Sequence, residues 1–171
     1  MKKRFFYLVM VLCLALGLSV SLAGCGSTED KIEATGEEYS WGNITLTVPD
    51  GFDPSNGITG EDDEDGLFLY NSGDDFFPYF QVAVEDSEAH AKSGLALTKE
   101  MNEDVEDQDI TIGDRTWTGV FYRSSDIEED TPVWQGYTEV DGVFYSVMCA
   151  GCEIDDDNLL LVLSTVNKAE K

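Results

Sequence analysis

Basic residues and histidine are scarce in this chain, and the shortage limits what it can do. Ten Lys and Arg stand against 35 Asp and Glu, giving a net charge of −25. That balance excludes nucleic acid as a partner, because phosphates are bound by Lys and Arg that displace condensed counterions. It also disfavours docking flat on anionic lipid. The chain has one histidine, His90, and no Gly-x-Ser-x-Gly elbow, phosphate-binding loop or zinc-binding helix, so hydrolase readings lack a base and a nucleophile. His90 lies at the N-terminal end of a predicted helical stripe, which points to helix-end packing or a surface role. No catalytic residue and no cofactor is expected.

The N-terminus supplies an address. Lys2, Lys3 and Arg4 precede an apolar stretch from Phe5 to about Val20, which leads into Leu22-Ala23-Gly24-Cys25. Basic, apolar and small-residue segments in this order form an export signal. Leu-Ala-Gly-Cys resembles the lipobox of bacterial lipoproteins. The resemblance implies that residues 1–24 are a signal peptide, cut off before Cys25, and that the Cys25 sulfur carries a diacylglyceryl group. A transmembrane helix is the competing reading, since about 18 apolar residues can span a bilayer. The Gly-Cys-Gly-Ser flank and the acidic stretch behind it fit a cleavage site better.

Two acyl chains anchor stably where one is marginal, at about 0.8 kcal/mol per buried methylene. Removing the first 24 of 171 residues leaves 147, enough for one domain, and takes away three bases and no acid, moving the charge from −25 to −28. The expected location is the extracytoplasmic face of a bacterial cell membrane, of the Gram-positive kind. Residues 25–38 read as the lipidated cysteine and a flexible acidic tether, with an r.m.s. reach of roughly 20 Å. Residues 39–171 read as a single domain.

Within that domain the hydrophobic period is two, interrupted twice by a helical period. Ile44, Leu46 and Val48 predict a strand that Pro49-Asp50-Gly51 ends. Leu67 to Tyr70 and Phe76 to Val84 predict two more, joined across Asn71 to Asp74. Ile110 to Ile112 and Arg115 to Tyr122 flank Gly113-Asp114. Val133 to Val140 and Val143 to Cys149 flank Asp141-Gly142, the strongest hairpin signal in the chain. Between Asp86 and Asp107, His90, Gly94, Leu97, Met101 and Val105 recur at helical spacing behind Ser87, a candidate cap. After Asp155 to Asp157, whose charges suit a helix start, Leu159, Val162, Leu163 and Val166 mark a second helix reaching Asn167. The class is α+β: an antiparallel sheet of about six strands with a mid-chain helix and a C-terminal helix.

The Val48 to Phe52 turn (Val-Pro-Asp-Gly-Phe), the long helix, the Ile112-Gly113-Asp114 hairpin running into Trp117-Thr118-Gly119-Val120, and the closing helix together resemble the PsbP-like fold, over about Ile44 to Asn167. The resemblance implies an α/β/α sandwich and a non-enzymatic binding or accessory role. It carries over no binding residues.

Three further features are candidates for sites. Trp41, Trp117 and Trp134, extended by Tyr79, Tyr122 and Tyr137, could form a stacking platform for a glycan or an envelope protein; core and cross-strand packing is the competing reading. The acid runs Glu61 to Asp65, Glu128 to Asp130 and Asp155 to Asp157 suggest calcium. The first offers acids at positions one, three and five and Gly66 at six, but Ser72 stands where an EF-hand needs a bidentate Glu, and solvated surface is the simpler account. Cys149 and Cys152 are the pair left once Cys13 is removed and Cys25 acylated. Outside the cytosol they are expected to close a structural disulfide. The alternatives are free thiols and a membrane-tethered thiol oxidoreductase with Cys149 as nucleophile and Cys152 as resolving thiol; against the latter, the pair ends a strand instead of starting a helix, and Glu153 and Asp155 to Asp157 disfavour a thiolate. No metal is expected there, since zinc would need about two more ligands.

Overall fold

The structure is a computed structural model, and it describes residues 32–56, 64–73, 77–125 and 130–169. The signal peptide, Cys25 and the tether as far as residue 31 lie outside these. A small sheet is made of β1 (Gly36–Trp41), β2 (Ile44–Pro49) and the two-residue β11 (Asn167–Lys168), with β2 in the middle. The large sheet has the order β3 (Phe52–Asn56), β4 (Gly66–Asn71), β5 (Tyr79–Glu85), β10 (Val143–Ala150), β9 (Thr131–Val140), β8 (Arg115–Ser124), β6 (Glu106–Asp107), and β7 (Ile110–Ile112) also pairs with β8. Every pairing is antiparallel. Helix α1 (Glu88–Met101) follows β5, and α2 (Asp157–Thr165) follows β10. No helix among the described residues is long and apolar enough to cross a membrane.

The α+β class and antiparallel pairing are as expected, but the large sheet has eight strands where about six were expected in all. The missed strands have physical reasons. β3 reads Phe-Asp-Pro-Ser-Asn, and its proline, with no N–H to give, suits only an edge strand such as this one. β1 reads Gly-Glu-Glu-Tyr-Ser-Trp and is mostly exposed, so it shows no apolar alternation. Gly36 to Glu38, assigned to the tether, are paired with Pro49 to Thr47; backbone pairing with β2 orders them regardless of their side chains. By contrast the Asp141-Gly142 hairpin is formed as read, with φ of 50° and 80° at the two loop residues, the doubly positive combination of a type I′ turn.

Cross-strand partners share a face, so the register sorts the large sheet into two sides. One side carries Phe80, Val82, Trp117, Trp134, Tyr145, Val147 and Cys149, all 0% exposed. The α2 stripe Leu159, Val162, Leu163 and Val166 and the β2 residues Ile44 and Leu46 close over it in one core. The opposite side carries Val120 and Tyr137, against which α1 packs Ala91 and Leu95. One helix therefore covers each side. The predicted α1 stripe is corrected here: Leu97 and Met101 are 55% and 74% exposed, and α1 ends at Met101, before Asp107. Small residues at the true contact face, Ala91 and Gly94, concealed it from a search for large apolar ones.

The centre of the main core depends on two glycines. Gly119 of β8 and Gly136 of β9 are direct partners, and the indole of Trp134 lies over both. A Cβ would come within 2.6 Å of that ring at Gly119 and 2.4 Å at Gly136. Trp117 meets Trp134 edge to face, with centroids 6.3 Å apart, a favoured aromatic geometry. Each indole N–H donates to a carbonyl, Trp117 to Leu163 at 3.1 Å and Trp134 to Gln108 at 2.9 Å. Arg115 donates to Leu163 and Val166 oxygens at 3.2 and 2.6 Å. The last turn of α2 has no basic residue of its own, so Arg115 and Trp117 of β8 satisfy the carbonyls that a helix end leaves unpaired.

Two glycine substitutions should then have opposite signs. Gly136→Ala drives a methyl into the Trp134 ring and should cost about 1–3 kcal/mol, lowering the melting temperature by roughly 3–10 °C. Gly94→Ala places a Cβ at an ordinary 3.8 Å from Gln135 Nε2, inside a helix, and should stabilise by about 0.5–1 kcal/mol. Thermal denaturation followed by circular dichroism checks both.

Candidate binding groove

The residues singled out from the sequence are mostly structural. Trp117 and Trp134 are fully buried and spend their N–H groups internally, and Trp41 is half-buried against the same core. The expected tryptophan platform is therefore not formed. Tyr137 is buried under α1, while Tyr79 and Tyr122 are half-buried on that same side of the sheet. Platform and core demand the same large aromatics in strands, and in a 3.3 Å-per-residue strand only the register, which pattern does not give, decides which face they take.

Cys149 and Cys152 are also in the core, 0% and 1% exposed. The structure shows both as free thiols where a disulfide was expected. Gly151, at φ 94°, turns the chain so that Cys152 returns beside Cys149, and both pack as small hydrophobes. Burial pushes the Cys149 thiol well above its ordinary 9.0, with the Cys152 contact and the Asp156 charge adding to the effect. An oxidoreductase nucleophile needs the opposite, a stabilised and accessible thiolate.

His90 is a surface residue, with its Nδ1 3.1 Å from Glu85 Oε2. Its backbone N–H donates to the Ser87 hydroxyl, which makes Ser87 the cap of α1 as read. Glu85 also accepts from Ser146 Oγ at 2.5 Å. Because the carboxylate lies between imidazole and hydroxyl, the imidazole cannot deprotonate the serine, and the three do not form a nucleophile relay.

The acid runs are dispersed among structural roles. Glu61 to Asp63 and Glu128 and Glu129 lie outside the described residues. Asp65 accepts from Asn43 Nδ2 at 2.9 Å, Gly66 opens β4, and Ser72 Oγ donates to the Gly51 carbonyl at 2.8 Å, so residues 66–71 of the interval expected to wrap a cation run as a strand. Asp156 caps α2, accepting from Asn158 N at 2.8 Å.

A depression of different origin lies at the C-terminal end of α1. Thr98 Oγ1 donates to Gln135 Oε1 at 2.7 Å, and Asn102 caps the helix by donating to the Thr98 carbonyl. Asp104 then takes φ 52°, a left-handed conformation that Asp tolerates better than most residues, two residues before β6 joins β8. A groove of about 530 Å³ results, lined by Met101, Asp104, Glu106, Phe121, Tyr122 and Ser124. Glu103, Asp104 and Glu106 on its rim are exposed and have no ion pair among the described residues. Arg123 alone brings positive charge, and it is occupied: its guanidinium stacks 5.7 Å from the Phe121 ring and donates to Glu153 at 2.5 Å.

The groove follows the edge of β8. β6 reaches only Val120 and Phe121, and among the described residues no strand pairs with the outer edge of β8 beyond Phe121. Gly119 turns its backbone outward, receiving Gln108 N at 2.8 Å and donating to Asp109 Oδ1 at 3.0 Å. With a period of two, Phe121 and Arg123 face the same way. A sequence signal existed for this site in Asn102-Glu103-Asp104, a polar break directly after a helix, but its place against β8 depends on long-range pairing.

No family model matches the chain, and no curated protein matches it. Among solved structures it is similar to a protein of Bacteroides thetaiotaomicron VPI-5482, at 12% identity and a TM-score of 0.48, over 80% of this chain and 49% of that one. The chain thus spans about half the length of that protein.

The buried hydroxyl and thiol groups make stability pH-dependent. Burial raises Tyr145 above its ordinary 10.0, with Asp141 adding to the effect and Arg115 opposing it, and it raises Cys149 above 9.0. For groups raised on folding, the stability is fully present below the unfolded values and is lost as pH climbs through the folded ones. The melting temperature should therefore fall progressively above about pH 9, and the fall should be smaller in Cys149→Ala. At neutral pH, iodoacetamide should leave Cys149 and Cys152 unmodified until the chain unfolds.

Proposed function

We propose that the chain is a lipid-anchored, non-catalytic binding module on the extracytoplasmic face of a cell membrane, and that its partner is a positively charged envelope protein. The address is supported by the basic, apolar and lipobox order from Lys2 to Cys25. The observation that carries the binding reading is the acid-rimmed groove at the end of α1, where Glu103, Asp104 and Glu106 have no ion pair among the described residues. A neutral glycan fits less well than a basic protein, because Trp117 and Trp134, two of the three tryptophans that would stack on sugar rings, are spent in the core. One helix on each side of an antiparallel sheet supports the PsbP-like sandwich as the fold. The thiol oxidoreductase reading is weakened by the burial of Cys149, and the calcium reading by the strand that occupies residues 66–71.

Charge at the membrane favours this use. The acyl chains would hold the domain at the surface while its acids keep it from lying flat on anionic headgroups, leaving its faces free for a partner.

Metabolic labelling with a radioactive fatty acid tests the address. The wild-type chain should take up label, and Cys25→Ala should lose it while keeping the same melting temperature; an unlabelled wild type would contradict the anchor. A pull-down from envelope extract tests the partner. A basic protein released by salt is the expected result, and a salt-insensitive glycan is the contrary one.

A further inference from the structure

We propose that the outer edge of β8 at Arg123 takes up a short, extended, basic peptide segment as an added strand, with its cationic side chains on the Glu103, Asp104 and Glu106 rim. The inference rests on the binding-module reading and supplies its mode of recognition. Three observations converge. The backbone of Arg123 faces outward by alternation from Gly119, beyond the point where β6 stops at its pairing with Phe121. The groove lies along that stretch of edge, with Phe121, Tyr122, Arg123 and Ser124 on one wall and the end of α1 on the other. Its rim carries negative charge only, apart from an Arg123 already held by Glu153 and Phe121.

An added strand would run antiparallel to β8, continuing the line of β6 past its pairing of Glu106 with Phe121. Main-chain hydrogen bonds to Arg123 would give the register, and alternate side chains would reach the groove. Exposed edges are a hazard that proteins usually cover or charge. The acids beside this one repel a second copy of so acidic a chain and admit a basic partner, so charge sets the specificity of the edge.

The probe is an acetylated and amidated Lys-Val-Lys-Val-Lys-Val peptide, titrated into the full-length chain held in zwitterionic vesicles. Binding should slow hydrogen exchange at the Arg123 amide. Methylating alternate peptide nitrogens should weaken binding by about tenfold or more, the loss expected when backbone hydrogen bonds cannot form. A Glu-Val peptide should not bind. Glu103→Lys with Glu106→Lys, both at exposed positions, should also weaken binding by about tenfold at an unchanged melting temperature. Equal binding by the N-methylated peptide, or by the double variant, would overturn the proposal, because the peptide would then be held by diffuse charge alone. A partner recovered from envelope extract that the peptide does not displace would overturn the groove and leave the binding-module reading standing. Recovery of no partner, with peptide binding intact, would do the reverse.

Discussion

Everything in the main core is arranged around one ring. Trp134 can lie flat between β8 and β9 only because Gly119 and Gly136 face each other beneath it, and a methyl at either would collide with it. From this crossing the other ties extend: Trp117 packs edge-on against Trp134 and bonds the Leu163 carbonyl, Arg115 joins it there, and Trp134 bonds Gln108 beside the edge of the sheet. α2 is thus held by both packing and hydrogen bonds to β8. Since buried indole N–H groups without partners would be costly, these bonds also fix how the tryptophans are oriented.

The same arrangement shapes what is left for function. Trp117 and Trp134, which could have met a ligand, are consumed in holding the core, and the two thiols are buried with them. Polar chemistry is displaced to the surface of a chain in which 35 acids outnumber ten bases. Recognition by such a surface depends on charge and on the shape of the backbone more than on a deep cavity. The end of α1 is where these coincide, because among the described residues β6 pairs with β8 only at Val120 and Phe121, and carboxylates of Asp104 and Glu106 line the groove beside that edge.

Much of the fold was legible in the sequence, and the reasons differ by element. The Asp141-Gly142 hairpin could be read because a type I′ turn demands positive φ at two successive residues, which few pairs tolerate. α2 could be read because Leu159, Val162, Leu163 and Val166 bury one continuous stripe. The α1 segment was recognised as a helix but turned to the wrong side, since its contact with Val120 and Tyr137 uses Ala91 and Leu95 while Leu97 and Met101 point outward. β1, β3, β6 and β11 exist through pairing with stronger strands, and their own residues carry little apolar period. The groove was not legible for the same reason: it is made where pairing stops.

The account stands most directly on both indoles being closed off within the core, which hydrogen exchange of the Trp117 and Trp134 side-chain N–H groups reports. If they are bonded to Leu163 and Gln108 beneath a packed core, both should exchange only as fast as the whole domain unfolds. Exchange of either indole on the timescale of exposed amides, with the fold intact, would show an accessible tryptophan and contradict the account.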